Sequence, residues 1–183
     1  MASNREKILH AAIEVLASQG ASGFTHRRVD RQAALPEGST SNIFRTRKAL
    51  LQGVTEHMVN LESPLLAASL DVEFKEQLAN AFIGIFEHLI GPLRTPTAAR
   101  MVLFVEAGHE PELSQILSAG RQRMLVPIRS AFEQVGVLDA ARATDLMATC
   151  FEGLLLQTFG GYADLDYRPI ITAAVETAIK SGT

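Results

Sequence analysis

An all-α chain is predicted by three observations. Apolar residues recur at i, i+3, i+4 and i+7 over nearly the whole length; no segment alternates apolar and polar with period two; and Gly and Pro punctuate the pattern at intervals suited to about nine helices. Of 183 residues, 47% are apolar and 20% charged, with a formal net charge of −3, which suits one globular unit or two small subdomains sharing a core. No stretch reaches the roughly 18 uninterrupted apolar residues of a membrane span, and the N-terminus lacks the apolar core of a signal peptide. A cytoplasmic protein with no membrane partner is expected. The single cysteine, Cys150, excludes an internal disulfide framework and a Cys-based metal site.

The first helix is placed by Ile8, Ala11, Ala12 and Val15, with a cap at Ser3 or Asn4 and an end at Gly20. A short second helix runs from the capping hydroxyl of Thr25 to about Ala33. Pro36 forbids a continuous helix yet suits a first turn, so a third helix is expected from Glu37 to Phe44. A fourth begins after Thr46 and buries Leu50, Val54, Met58 and Leu61, its end left open by Pro64. Phe74, Leu78, Phe82, Ile85 and Leu89 mark a fifth, stopping near Gly91-Pro92. The run Met101–Val105 is apolar on every side and is expected to be enclosed. After Gly108–Pro111 another helix passes through Leu113, Ile116, Leu117, Met124, Ile128 and Phe132. In the last two segments, Leu146–Phe159 and Ile170–Ile179, apolar residues cover more than one face, which points to a homodimer interface.

Charge is segregated along the chain. Residues 1–60 carry eight basic and five acidic side chains, residues 61–183 nine and fifteen. Six of the basic ones lie between Ser22 and Lys48, against only Asp30 and Glu37, a footprint suited to an anionic partner. That same segment holds two short helices joined by a tight turn, a helix-turn-helix, whose second helix lies in the major groove of DNA. The third helix reads EGSTSNIF. Ser39, Thr40, Ser41 and Asn42 are poor helix formers, but their short hydroxyl and amide groups suit base edges and phosphates in a groove about 12 Å wide. Gly38 removes a side chain where the helix meets the backbone, and Arg27, Arg28, Arg45, Arg47 and Lys48 stand ready for phosphates on either side.

From Arg5 to Leu51 the chain resembles the N-terminal domain of TetR-type transcriptional repressors, through Gly20, Thr25, Val29, Ala33, Leu35, Gly38, Ser39, Phe44, Arg47 and Leu50 in order and spacing. It departs from the pattern at five places. Asp30 stands for a small residue, Ala34 for the turn glycine, Ser41 for a phosphate-binding tyrosine, Ile43 for a histidine or aromatic, and Arg45 for a proline. The resemblance implies base contacts by Arg27, Ser39 and Asn42 and phosphate contacts by Thr25, Ser41 and Arg47. It also implies a division into a DNA-binding part, 1–48, and a helical ligand-binding and dimerisation part, 49–183. The partners would be an operator that is an inverted repeat, a second copy of the chain, and a small, largely apolar effector. For the effector cavity the candidate lining is Phe82, Phe86, Met101, Phe104, Met124 and Phe151, with His88 as a polar group.

Other chemistry is weakly signalled. Glu106 and His109 have the Glu-x-x-His spacing of di-iron bundles, but no second copy accompanies them and Gly108 and Pro111 place them at a helix end. Cys150 sits among apolar residues as an inert thiol. His57 and His88 read as boundary histidines, and no Gly-x-Ser-x-Gly elbow is present. No cofactor, metal or enzymatic activity is therefore expected. The rival reading is a helical-bundle enzyme or metal-binding protein with no role on DNA.

Overall fold

The computed structural model describes residues 3–161 and 165–181. Among these the secondary structure is helical throughout: α1 Asn4–Gly23, α2 His26–Gln32, α3 Ser39–Ile43, α4 Arg47–Ser69, α5 Lys75–Ile90, α6 Arg94–Glu106, α7 Pro111–Gln134, α8 Ala140–Phe159 and α9 Tyr167–Ser181. The chain forms two compact units, each discontinuous in sequence. The first is residues 1–60 with 94–121, the second residues 61–93 with 122–183.

In the first unit α1 starts at a reciprocal cap. The Ser3 hydroxyl accepts from the Glu6 N–H (3.2 Å), while the Glu6 carboxylate accepts from the Ser3 N–H (2.7 Å). The helix breaks at Gly20, with φ of +70°, and a last turn leads to Phe24. Its apolar face, Ile8, Leu9, Ala12, Val15 and Leu16, packs into one core with Phe24, Val29, Phe44, Leu50, Leu51, Val54 and Met58. Ala99 and Leu103 of α6 and Leu113 of α7 complete that core. Gly53 on α4 is the floor for the buried Phe44 ring, since a Cβ there would lie 2.6 Å from Phe44 Cε1.

In the second unit α9 packs on α5 and α8. Phe82 stacks on Phe132, with ring centroids 5.8 Å apart, and meets Phe151 edge-on; Phe86 meets Phe151 and Tyr167 at 5.6 and 4.8 Å. Glu87 of α5 accepts hydrogen bonds from the Tyr167 hydroxyl and the Arg168 guanidinium, tying the start of α9 to α5.

Three expectations are corrected, and the end of α4, left open, is placed. The third helix starts at Ser39 rather than Glu37 and ends at Ile43, because Gly38, with φ of +94°, takes the left-handed backbone of a cap and leaves Pro36 and Glu37 in the turn. Helix α4 runs through the exposed Pro64 to Ser69. The run Met101–Val105 is not enclosed: α6 buries Met101 and Leu103, while Phe104 and Val105 are 42% and 59% exposed on its other side. Finally, not every apolar residue of the last helices is free for a partner, since Leu155, Ile171, Val175 and Ala178 are buried within the single chain.

Candidate nucleic-acid interface

Helix α2 begins where the Thr25 hydroxyl accepts from the Arg28 N–H (3.3 Å). It ends in a Schellman motif. The Leu35 N–H returns to the Asp30 carbonyl (3.0 Å), the Ala34 N–H to the Arg31 carbonyl (3.2 Å), and Ala34 sits between them in left-handed conformation, φ +53°. The turn then passes Leu35 and Pro36 into α3, where the Ser39 N–H bonds the Pro36 carbonyl (3.1 Å).

Helix α3 has no cap of its own, because Gly38 carries no side chain. The Asp30 carboxylate supplies one from α2. It accepts from the Gly38 N–H (2.8 Å), the Thr40 N–H (2.7 Å) and the Thr40 hydroxyl (2.5 Å). Burial pushes the Asp30 carboxyl up, but the Thr40 and Gly38 hydrogen bonds, with His26 nearby, outweigh it and hold it below the usual aspartate range. At the far end the His26 ring bonds the Phe44 carbonyl through Nε2 at 2.7 Å. A carbonyl only accepts, so Nε2 carries the hydrogen.

The exposed face of α3 carries Ser41, Asn42 and Ile43, with Ser39 partly exposed. Ser39 and Ser41 donate their hydroxyls to the Pro36 and Gly38 carbonyls (2.6 and 2.9 Å), which leaves the oxygen lone pairs to accept. Arg28 on α2 and Arg45 just beyond α3 are exposed, and Arg27 forms an exposed ion pair with Glu37 (3.2 Å). Arg47 and Lys48, at the start of α4, are held by Glu110 (3.1 Å) and Glu112 (2.6 Å) beside the start of α7. Thr46 caps α4, its hydroxyl accepting from the Ala49 N–H (3.0 Å).

Of the sequence-derived set, then, Thr25, Arg27, Arg28, Gly38, Ser39, Ser41, Asn42 and Arg45 gather on or beside α2, the turn and α3, and Arg47 and Lys48 stand at the start of α4. Thr40 is the correction: it is wholly buried, its hydroxyl is committed to Asp30, and it has no surface to offer a phosphate. Arg31, counted in the basic cluster but not among the candidate contacts, is exposed on α2 and lines with Arg27, Asp30, Leu35 and Glu37 a hollow of about 230 Å³. Its place in the basic cluster was the available signal.

The effector candidates divide between the units. Phe82, Phe86 and Phe151 come together with Tyr167 in the second, where His88 and Met124 are half-buried; Met101, buried, and Phe104, exposed, belong to the first. Burial pushes the Cys150 thiol up, away from the reactive thiolate. Among the described residues no three His, Cys, Asp or Glu side chains group as metal ligands, and no helix is long and apolar enough to cross a membrane.

A family model described as tetracyclin repressor-like, C-terminal domain, matches residues 74–181. No protein of curated function matches the sequence. Solved structures with the same fold include a putative TetR-family transcriptional regulator from Rhodococcus sp., 20% identical, with a TM-score of 0.82 over 98% of this chain and 100% of that one. A putative transcriptional regulator from Pseudomonas aeruginosa PAO1 is 16% identical, with a TM-score of 0.78 over 98% and 93%. The multidrug binding protein EbrR, complexed with ethidium, is 21% identical, with a TM-score of 0.68 over 94% and 98%.

Proposed function

Because the chain belongs to the TetR family of transcriptional regulators, we propose that it is a cytoplasmic repressor whose residues 1–48 bind an inverted-repeat operator and whose residues 49–183 bind a small effector and dimerise. The observation that carries this reading is the α2–turn–α3 element. It exposes Ser41 and Asn42, with Ser39 partly exposed and Ile43 the one exposed apolar residue of α3, and it carries the exposed Arg27, Arg28 and Arg31 on α2 and Arg45 just beyond α3. Base edges are the partners for Arg27, Ser39 and Asn42; phosphates are the partners for Thr25, Ser41, Arg28, Arg45, Arg47 and Lys48.

A two-fold dimer presents the same helix twice, so the operator has two half-sites about one helical turn, or a multiple of it, apart. Leu156 and Ile170, each 38% accessible, are exposed large apolar groups of α8 and α9 available to the second copy. The aromatic cluster of Phe82, Phe86, Phe151 and Tyr167 supports a largely apolar effector, as does the ethidium held by the structural relative EbrR. The effector releases DNA only if it binds better to a conformation whose two recognition helices no longer match the half-sites. Helices α4 and α7 each have residues in both units and are the covalent route for that coupling.

The test is a gel-shift titration of the full chain against the upstream region of its own gene at several salt concentrations. Selective binding with a steep inverse salt dependence is expected. Equal binding to upstream and random duplex, or none to either, would return the fold to the helical-enzyme or metal-protein reading.

A further inference from the structure

Helix α3 has only five residues, whereas isolated helices shorter than about 12–15 residues are marginal in water. Its neighbours must therefore hold it; apolar packing anchors its end through Phe44, just beyond Ile43, but not the helix itself. The only fully buried residue of α3 is Thr40, which is polar. What fixes the helix is a pair of side chains on α2, His26 and Asp30, which lie four residues apart and so project from one face. Asp30 grips the N-terminal end through the Gly38 and Thr40 N–H groups and the Thr40 hydroxyl; His26 grips the C-terminal end through the Phe44 carbonyl.

We propose that His26 and Asp30, with Thr40 as the receiving group, form a two-point polar clamp that sets the rotation and tilt of α3 and so determines which bases it selects. The proposal rests on the DNA-binding reading above and adds to it residues that touch no DNA. Hydrogen bonds are directional, weakening steeply as the donor angle falls toward 120°, so bonds at both ends of one short helix restrict its rotation where apolar contacts would let it slide. Base contacts need side chains held within about 0.5 Å and 10–20°. Ser39 lies within the Asp30 grip and Asn42 between the two, so any slack there is transmitted to them. His26 and Asp30 are positioning residues, and their loss affects discrimination rather than the electrostatic attraction supplied by the arginines.

The test uses the full chain and a pool of randomised 20-base-pair duplexes, from which the wild type enriches its preferred sequence. Thr40→Val keeps the shape and deletes the hydroxyl; His26→Phe keeps a ring and deletes the donor; His26→Gln restores a donor able to reach Phe44. Thr40→Val and His26→Phe are expected to lower the affinity ratio of enriched to shuffled duplex by about tenfold or more while leaving the salt slope unchanged, and His26→Gln to recover most of it. A ratio unchanged in Thr40→Val and His26→Phe overturns the clamp, as does a parallel loss on both duplexes, which marks simple unfolding. A second measurement is independent of DNA. In the free protein, Asp30→Asn should speed amide exchange at Gly38 and Thr40 at least about tenfold relative to amides of α1. Equal exchange in wild type and Asp30→Asn overturns the clamp whatever the duplex pool shows. If the wild type enriches nothing but exchange responds as expected, the DNA reading fails and the clamp stands as the support of α3.

Discussion

Replacing Ala34 with glycine should make the protein more stable, although it deletes a methyl group. Ala34 is exposed, so no packing is lost, and it occupies the left-handed position that closes α2 with φ of +53°. An L-residue in that conformation costs about 1–2 kcal/mol. Against this, glycine loses about 0.4–1 kcal/mol more backbone entropy on folding. The difference leaves about 0.5–1 kcal/mol in favour of Ala34→Gly, which for a chain of this length raises Tm by about 1–4 °C. A β-branched residue has the opposite effect, because its second Cγ crowds the left-handed backbone further, so Ala34→Val should melt below the wild type. Far-UV circular dichroism through heat and urea ramps is the suitable assay, as the chain has no tryptophan. An Ala34→Gly variant melting at or below the wild type, or an Ala34→Val variant melting with it, would refute the assignment of strain to this turn.

Five further outcomes are expected. Asn42→Ala and Ser39→Ala should each cost about 1–3 kcal/mol on operator but little on random duplex, whereas Arg47→Ala should weaken both and flatten the salt slope by about one unit in gel shifts. Glu110→Gln, which releases the Arg47 guanidinium, should tighten binding to random duplex at low salt by about 0.5–1 kcal/mol; unchanged affinity would argue against a phosphate role for Arg47. The folded Asp30 carboxyl titrates below its unfolded value near 3.9, so its contribution to stability is present above about pH 4 and is lost as pH falls through the lower folded value, a dependence that Asp30→Asn should flatten in urea titrations. His57 is lowered by burial and by His10 and Arg5, so the unfolded chain binds its proton first, and stability should fall as pH drops below about 6.5 unless His57 is replaced by Gln. For the dimer, Leu156→Glu combined with Ile170→Glu should sediment as a folded monomer; a folded dimer would place the interface elsewhere.

What the sequence made legible was local. Ser3, Gly20, Thr25 and Thr46 announce helix ends because capping and chain breaking depend on residues within one turn, and each stands at or beside the end it was assigned. The basic cluster and the polar third helix were visible for the same reason. Contacts between distant segments were not. Asp30 stood out as an acid where a small residue was expected, yet nothing nearby indicated that Thr40 would turn inward to meet it. Thr40 had been grouped with its serine neighbours because composition does not say which hydroxyl faces in. The ion pairs of Arg47 and Lys48 join residues more than 60 positions apart, beyond any local pattern. The run Met101–Val105 misled because an apolar composition fixes what a helix can bury, not how many neighbours arrive to bury it.

The discontinuity of the first unit governs how the chain leaves the ribosome. Its N-terminal helices, including the whole of α2 and α3, are synthesised first, but the core beneath α1 stays open until Ala99, Leu103 and Leu113 have emerged. At about 5–20 residues per second, the stretch from Asn60 to Arg121 takes roughly 3–12 s to translate. Throughout that interval the apolar face of α1 lacks Ala99, Leu103 and Leu113 as partners. A fragment ending at Asn60 remains in that state permanently. Helices α1 to α4 therefore cannot complete this core as an isolated N-terminal fragment, because part of it is supplied by α6 and α7.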